Sequence, residues 1–261
     1  AHELENRMRQ FRNIKFEEEF IREAYKLKDS SEWSLKNARI KSANDKDFYE
    51  KIYTITYRPF DTRFIIYTDD LIERPRKDVM QHLLKDNLAL AIGRQGQVIG
   101  NEFLWNLSFI TDTICDVNAF YRGGAKIFPL YLYPTERKKK SLQSMMVFEP
   151  DASYGKEKRP NIAAKVFESL QRAYSKKPTP EQILYYCYAI LYSNIYREKY
   201  AAFLKIDFPR IPFTGNYELF LQCAKLGEQL AELHLLKHKS LDHPTTKYFG
   251  KGDSDTIEKP L

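Results

Sequence analysis

Residues 51–83 read KIYTITYRPFDTRFIIYTDDLIERPRKDVMQHL, and the periodicity of this stretch decides the fold class. Ile52, Thr54 and Thr56 alternate with Tyr53, Ile55 and Tyr57, the two-residue repeat of a strand built from β-branched and aromatic side chains. Pro59 interrupts the repeat, RFIIYT resumes it, and DVMQHLLKD then has the apolar spacing of a helix. The chain is therefore neither all-helical nor all-β. The charges of the stretch cancel: Arg58, Arg63, Arg74, Arg76 and Lys77 stand against Asp61, Asp69, Asp70, Glu73 and Asp78. Three readings stay open at this point: an active site, a surface that reads a ligand, or a scaffold whose charges hold one another.

On the N-terminal side, residues 1–48 form a charged helical connector. FEEEFIREAYKL places Phe16, Phe20, Ile21, Ala24 and Tyr25 on one helical face, and Ser31 is placed to cap a helix running through Trp33 and Leu35. On the C-terminal side, LALAIGRQ reads as a buried strand ending in a glycine-rich turn, GRQGQVIGN, while FLWNLSFIT and AKIFPLYLYP read as further strands. Residues 49–135 are thus a mixed β-sheet core with a helix or two. Residues 136–160 are a basic linker or surface loop, rich in lysine and poor in apolar residues. Residues 161–240 are a helical subdomain: NIAAKVFESLQRAY, a long run from Pro180 to Leu204, and YELFLQCAKLGEQLAELHLLKH. Between the last two, KIDFPRIPFTG is extended, because each proline biases its predecessor away from helix. Residues 241–261 read as a tail, and the fold class is α+β.

With 261 residues, 18 of them Tyr and 17 Phe, the chain is long enough to bury roughly 70–75% of its unfolded surface without staples. No run of 18 apolar residues spans a membrane, and the charged start AHELENRMRQ is not a secretory signal. The absence of an initiator Met, and an end, DTIEKPL, that reads like a strand stopped midway, suggest a piece of a longer chain. Cys115, Cys187 and Cys223 lie far apart with no CxxC pair, which argues against a disulfide framework or zinc site and fits a reducing cytoplasm. The net charge is +7. Between Thr135 and Lys177 eleven basic residues oppose five acids, so nearly all of the excess sits there, either as a solvated face or as a surface for an anionic partner.

Candidate chemistry is sparse. His234 and His238 have the i, i+4 spacing of two zinc ligands but no accompanying HExxH carboxylate. A metal-dependent nuclease could use Asp69, Asp70, Glu73 and Lys77, although Pro75 between the last two breaks the spacing such sites use, and the acids are better placed to pair with Arg74 and Arg76 or to cap the next helix. Gly93, Gly96 and Gly100 follow a strand without the GxGxxG spacing, and no GKS or GKT is present. The side chains of that loop are more informative. Arg94, Gln95 and Gln97 are types that pair with guanine or adenine edges in the major groove, though a hairpin turn with solvent-facing polar residues has the same composition.

Several blocks in order carry a resemblance: YRPFDTRFIIY, ERPRKDVMQHL, LALAIGRQ, ITDTICDVNAF with KIFPLYLYP, and YREKYAAFLKIDFPRIPF. Together they resemble the C-terminal specificity region of type ISP restriction–modification enzymes and related single-chain methylase–endonucleases. The likeness runs from FRNIKFEEEFIREAYKLKDSSEW to the helix ending in LHLL. It implies a target recognition domain that binds duplex DNA sequence-specifically and packs with the methyltransferase domain of the same polypeptide. It also implies a parent chain with adenine-N6 methyltransferase and ATP-dependent endonuclease activities, using S-adenosylmethionine, ATP and Mg. This stretch carries no NPPY-type motif or phosphate loop, so the resemblance places no catalytic residue, cofactor or metal here. It favours Arg94, Gln95, Gln97 and Arg122 of the AFYRGG turn as base contacts. Phosphate contacts fall to Arg58, Arg63, Arg74, Arg76, Lys138, Lys139 and Lys140. In the YREKYAAFLKIDFPRIPF block, Tyr196, Tyr200, Phe203 and Phe208 are expected to pack, and Arg197, Lys199, Lys205 and Arg210 to be solvated or phosphate-facing. The alternatives are the nuclease above and a structural coupler that binds protein rather than DNA.

Overall fold

The computed structural model of the chain describes residues 2–94, 105–120, 124–134 and 158–246. Three helices lead: α1 (His2–Arg12), α2 (Glu18–Tyr25) and α3 (Leu35–Asn44). They close over a small core of Phe11, Ile21, Leu35 and Ala38. The apolar face expected of the second helix holds only in part. Ile21 is fully buried, but Phe16, Phe20 and Ala24 are exposed, the two phenyl rings stacking at 5.3 Å. The helix begins only at Glu18, so Ile21 and Tyr25, four apart, face inward and Phe20 points away. Ser31 does not cap the next helix either. α3 starts at Leu35, whose N–H donates to Asp29 Oδ1 at 2.9 Å. That bond and the Arg22 guanidinium hold the Asp29 carboxyl below its ordinary range.

β1 (Ile52–Arg58) and β2 (Asp61–Ile66), the two expected strands, pair as a hairpin, in register from Ile52↔Ile66 to Arg58↔Asp61 with a bulge between Thr56 and Arg58. Phe60, in the turn, has φ of 64°, a left-handed conformation costly for a side chain of its size. Its ring lies edge-on to Phe109 and His234, with centroids 5.3 and 5.6 Å away, so tertiary contact holds what local preference disfavours. The helix expected from Asp78 is a single turn, α4 (Lys77–Met80), followed by a 3₁₀ turn at Gln81–Leu83. Next come β3 (Ala89–Gly93), β4 (Ser108–Thr111), the two-residue β5 (Ile114–Cys115) and β6 (Ala125–Pro129).

The strands make two small sheets rather than one. β2–β1–β5 is mixed, with β5 parallel to β1, and β4–β3–β6 is antiparallel throughout. Buried hydroxyls join the sheets: Thr56 Oγ1 lies 2.7 Å from Thr111 Oγ1 and 3.0 Å from Thr113 Oγ1. A short ladder, β7 (Tyr131–Leu132) with β8 (Arg159–Pro160), brackets residues 133–158.

The C-terminal helices are α5 (Ala164–Tyr174), α6 (Pro180–Tyr192), α7 (Asn194–Lys199), α8 (Ala201–Leu204) and α9 (Tyr217–His234). Thr179 opens α6 with a capping box to Gln182 and Pro180 in the first turn. The run expected as one helix from Pro180 to Leu204 breaks at Ser193, whose Oγ accepts the Tyr196 N–H at 3.3 Å. At Gly227, α9 lies close against α6: a Cβ there would lie 1.9 Å from the Tyr185 carbonyl oxygen. The main core joins sheet to helices: Leu90, Ala91, Phe109 and Ile110 pack with Leu184, Tyr188, Leu191 and Ala231. α9 stops at His234, so His238 lies outside it.

Candidate nucleic-acid interface

Arg94 leaves the central sheet at the end of β3. The strand is locked there by backbone and indole: Gly93 N–H donates to Leu107 O at 2.8 Å, and Trp105 Nε1 donates to Gly93 O at 3.2 Å. Gly93 is glycine for space rather than for a phosphate turn, since a Cβ would sit 2.8 Å from Gly124 O. Arg94 itself is exposed. Its Nη2 donates to Ile206 O at 3.3 Å, and its Cζ stands 5.8 Å from the Phe208 ring centroid. Among the described residues no carboxylate lies within ion-pair distance of it. Phe128 of β6, itself exposed, meets Phe208 edge-on at 6.4 Å. Lys126, two residues before Phe128, shares its face of the strand and is also exposed. The result is a basic and aromatic surface that runs from Arg94, past the end of β3, along β6 to Phe128 opposite Leu90.

Most arginines of the opening stretch are already engaged. Arg63 forms a two-pronged pair with Asp61, Nη2 to Oδ2 at 2.8 Å, and Arg58 reaches Asp116 at 3.5 Å. Their Cζ atoms lie 3.7 and 3.9 Å from the Tyr57 ring centroid, so one tyrosine carries two guanidiniums. Asp61 is held below its ordinary range by the Arg63 bond. The acids do not pair with Arg74 and Arg76 as the sequence suggested. Arg74 reaches back to Glu32 at 3.3 Å, Lys77 bonds Asp69, Asp70 takes Lys41 at 2.8 Å, and Glu73 accepts from Ser30 at 3.0 Å. With Trp33 Nε1 donating to Asp70 O at 2.9 Å, these contacts strap the leading helices to the loop after the hairpin. Of the four nuclease candidates, Asp69 and Lys77 pair with each other, while Asp70 and Glu73 are taken by Lys41 and Ser30. Arg76, exposed and with φ of 51°, makes no ion pair among the described residues.

His234 is enclosed rather than ligand-like. Its Nδ1 is hydrogen-bonded to Tyr188 Oη at 2.6 Å, and the rings of Phe60, Phe109, Tyr188 and Tyr192 surround it. Burial, and then the nearby Arg197, lower its pKa. His238 turns instead to Ser240 Oγ at 2.7 Å. Among the described residues no group of three His, Cys, Asp or Glu could hold a metal. Burial pushes the Cys115 and Cys187 thiols up to about 12, which leaves no thiolate at neutral pH.

The family described as the Type ISP C-terminal specificity domain matches residues 1–260. This chain belongs to that family. Among solved structures, the specificity domain is similar to the cryoEM structure of a DrdV–DNA complex. The two share 24% identity at a TM-score of 0.56, over 77% of this chain and 17% of that one. It also matches a nuclease-deletion mutant of the Type ISP restriction-modification enzyme LlaGI in complex with a DNA substrate mimic. That match has 22% identity and a TM-score of 0.48, over 78% and 16% of the two chains. The specificity domain thus spans about a sixth of the length of either. A search of curated proteins finds no match. Among the described residues, no helix is long and apolar enough to cross a membrane.

Gln95, Gln97, Arg122, Lys138, Lys139 and Lys140 of the specificity domain lie outside the described residues. In the YREKYAAFLKIDFPRIPF block Tyr196 is buried as expected, but Arg197 is not solvated. Its Nε donates to Leu191 O at 2.6 Å and its Cζ stacks 4.5 Å from the Tyr192 ring. Helix breakage at Ser193 turns Arg197 inward, and no periodicity marks such a break. The sequence also gave no sign that residues 206–208 would meet Arg94, since 112 positions separate Arg94 from Ile206.

Proposed function

We propose that this chain reads a DNA target for a single-chain restriction–modification enzyme, binding duplex DNA sequence-specifically without doing chemistry itself. The observation that carries the reading is Arg94. In a chain of the specificity family, an exposed arginine stands at the end of the central strand with no carboxylate among the described residues to occupy its donors. A guanidinium left open in this way can pair with guanine O6 and N7. The paired Arg58 and Arg63 suit phosphate contact or scaffolding, and the exposed Arg76 suits phosphate contact. The fold shared with DrdV, which was solved with DNA, supports the same reading. The remainder of the polypeptide would supply adenine-N6 methylation and ATP-dependent cleavage, with S-adenosylmethionine, ATP and Mg, in a cytoplasmic setting, and its methyltransferase domain would grip the duplex alongside this one.

Fluorescence titration of the chain against random-sequence duplex at low and high salt tests the proposal. Binding should weaken steeply as salt rises, because phosphate contacts release counterions. Absent or salt-independent binding would refute it.

A further inference from the structure

After a turn at Ile206 and Asp207, residues 208–214 lie in neither helix nor strand and lead from α8 toward α9. Three tyrosines on three different helices hold this strap by alternate carbonyls. Tyr196 Oη donates to Arg210 O at 2.9 Å, Tyr186 Oη to Pro212 O at 2.8 Å, and Tyr174 Oη to Thr214 O at 2.7 Å. Pro209 and Pro212 fix φ at two further points. The leading end of the strap reaches the sheet. Ile206 O accepts from Arg94 Nη2, and Phe208 stands between Arg94 and Phe128. The acid of this segment, Asp207, lies 3.9 Å from Arg210, an ion pair within the strap itself. Arg94 is therefore offered a carbonyl and a ring face. A carboxylate would occupy two of its donors in a fork, whereas one carbonyl leaves the other donors for a ligand.

We propose that the strap is a positioning element of target recognition. Phe208 and the Ile206 carbonyl fix the direction of the Arg94 guanidinium before DNA arrives, so the helical part of the molecule influences target choice without touching a base. Preorganisation of this kind lowers the ordering cost of binding. The inference rests on the DNA-reading function above, with Arg94 as a base contact.

Two readouts separate the inference from that function. The first needs no DNA: ¹⁵N relaxation of the Arg94 Nε–H in the 261-residue chain. Phe208→Ala should collapse it toward that of a freely rotating side chain, and Phe208→Tyr should preserve it. Phe208→Leu, which keeps apolar bulk without a ring, replaces the alanine variant if that one fails to fold. The second readout is a randomised duplex pool sequenced before and after capture. Arg94→Ala should reduce preference at one base position by about tenfold. Phe208→Ala should reduce preference at the same position several-fold, and the double variant should be no worse than Arg94→Ala alone. Unchanged Arg94 relaxation in Phe208→Ala would overturn the proposal. So would loss of affinity for all duplexes alike with preference intact, or full additivity with Arg94→Ala. If relaxation collapses but Arg94→Ala shifts no preference, or no duplex is captured, the positioning role falls together with the DNA reading, and the relaxation data assign the failure to the latter.

Discussion

Gly227 sits inside a helix, where alanine is the better helix former by about 1 kcal/mol. Packing reverses that preference, because an added methyl would lie 1.9 Å from a backbone oxygen of α6, which cannot rotate away. Gly227→Ala is expected to destabilise the chain by roughly 2 kcal/mol or more, read as a lower urea midpoint. His234 gives a pH-dependent counterpart. Its folded-state pKa is depressed, by burial first and Arg197 second, so on acidification the unfolded chain takes up the proton first. The stability it supports is complete above about pH 6.5 and is lost as pH falls from there through the folded value. Phe60, Phe109, Tyr188, Tyr192 and Arg197 face the ring, so among the described residues no carboxylate in direct contact offsets the effect. His234→Phe should lose less stability than wild type between about pH 7 and pH 5, measured by urea denaturation. Equal losses would place the titration elsewhere.

Among the elements, α6 owes its start to the Thr179–Gln182 box. Thr179→Ala should cost about 1 kcal/mol, or about 2–4 °C of melting temperature in a chain of this size. How much of each element could be read in advance depends on where its determinants lie. β1 and β2 were legible because β-branched and aromatic side chains recur within each strand, and β3 because it is a short unbroken apolar run. α9 was legible because its apolar residues recur at helical spacing, and α6 because threonine, proline and glutamine announce a cap. β5 and β8 were not: each has two residues and exists only because a distant partner supplies its hydrogen bonds, while the strand read over AKIFPLYLYP divides into β6 and β7. The inward turn of Arg197 and the exposure of Phe20 escaped for a related reason, since tertiary packing selects which face of a short helix is buried. At the site, Arg94 could be singled out from the chemistry of its side chain, whereas its neighbours Ile206 and Phe208 follow from chain topology alone.

At the scale of the molecule, the 42 lysines and arginines overstate the cations open to a polyanion. Arg58, Arg63, Arg74, Lys41, Lys51 and Lys77 each have a carboxylate partner. Arg76→Ala should therefore lower the slope of log affinity against log salt by about one and weaken all duplexes alike, while Arg74→Ala, already neutralised by Glu32, should change it less. Equal slopes for the two variants would show that ion pairing does not sort these arginines. The β7–β8 ladder has a consequence of another kind. Tyr131 and Leu132 pair with Pro160 and Arg159, and Asn161 N–H donates to Leu130 O at 2.7 Å, so the two ends of the intervening chain are stapled side by side. A break in the backbone between Tyr133 and Lys158 would therefore leave these two strands held together by the ladder and the Asn161–Leu130 bond.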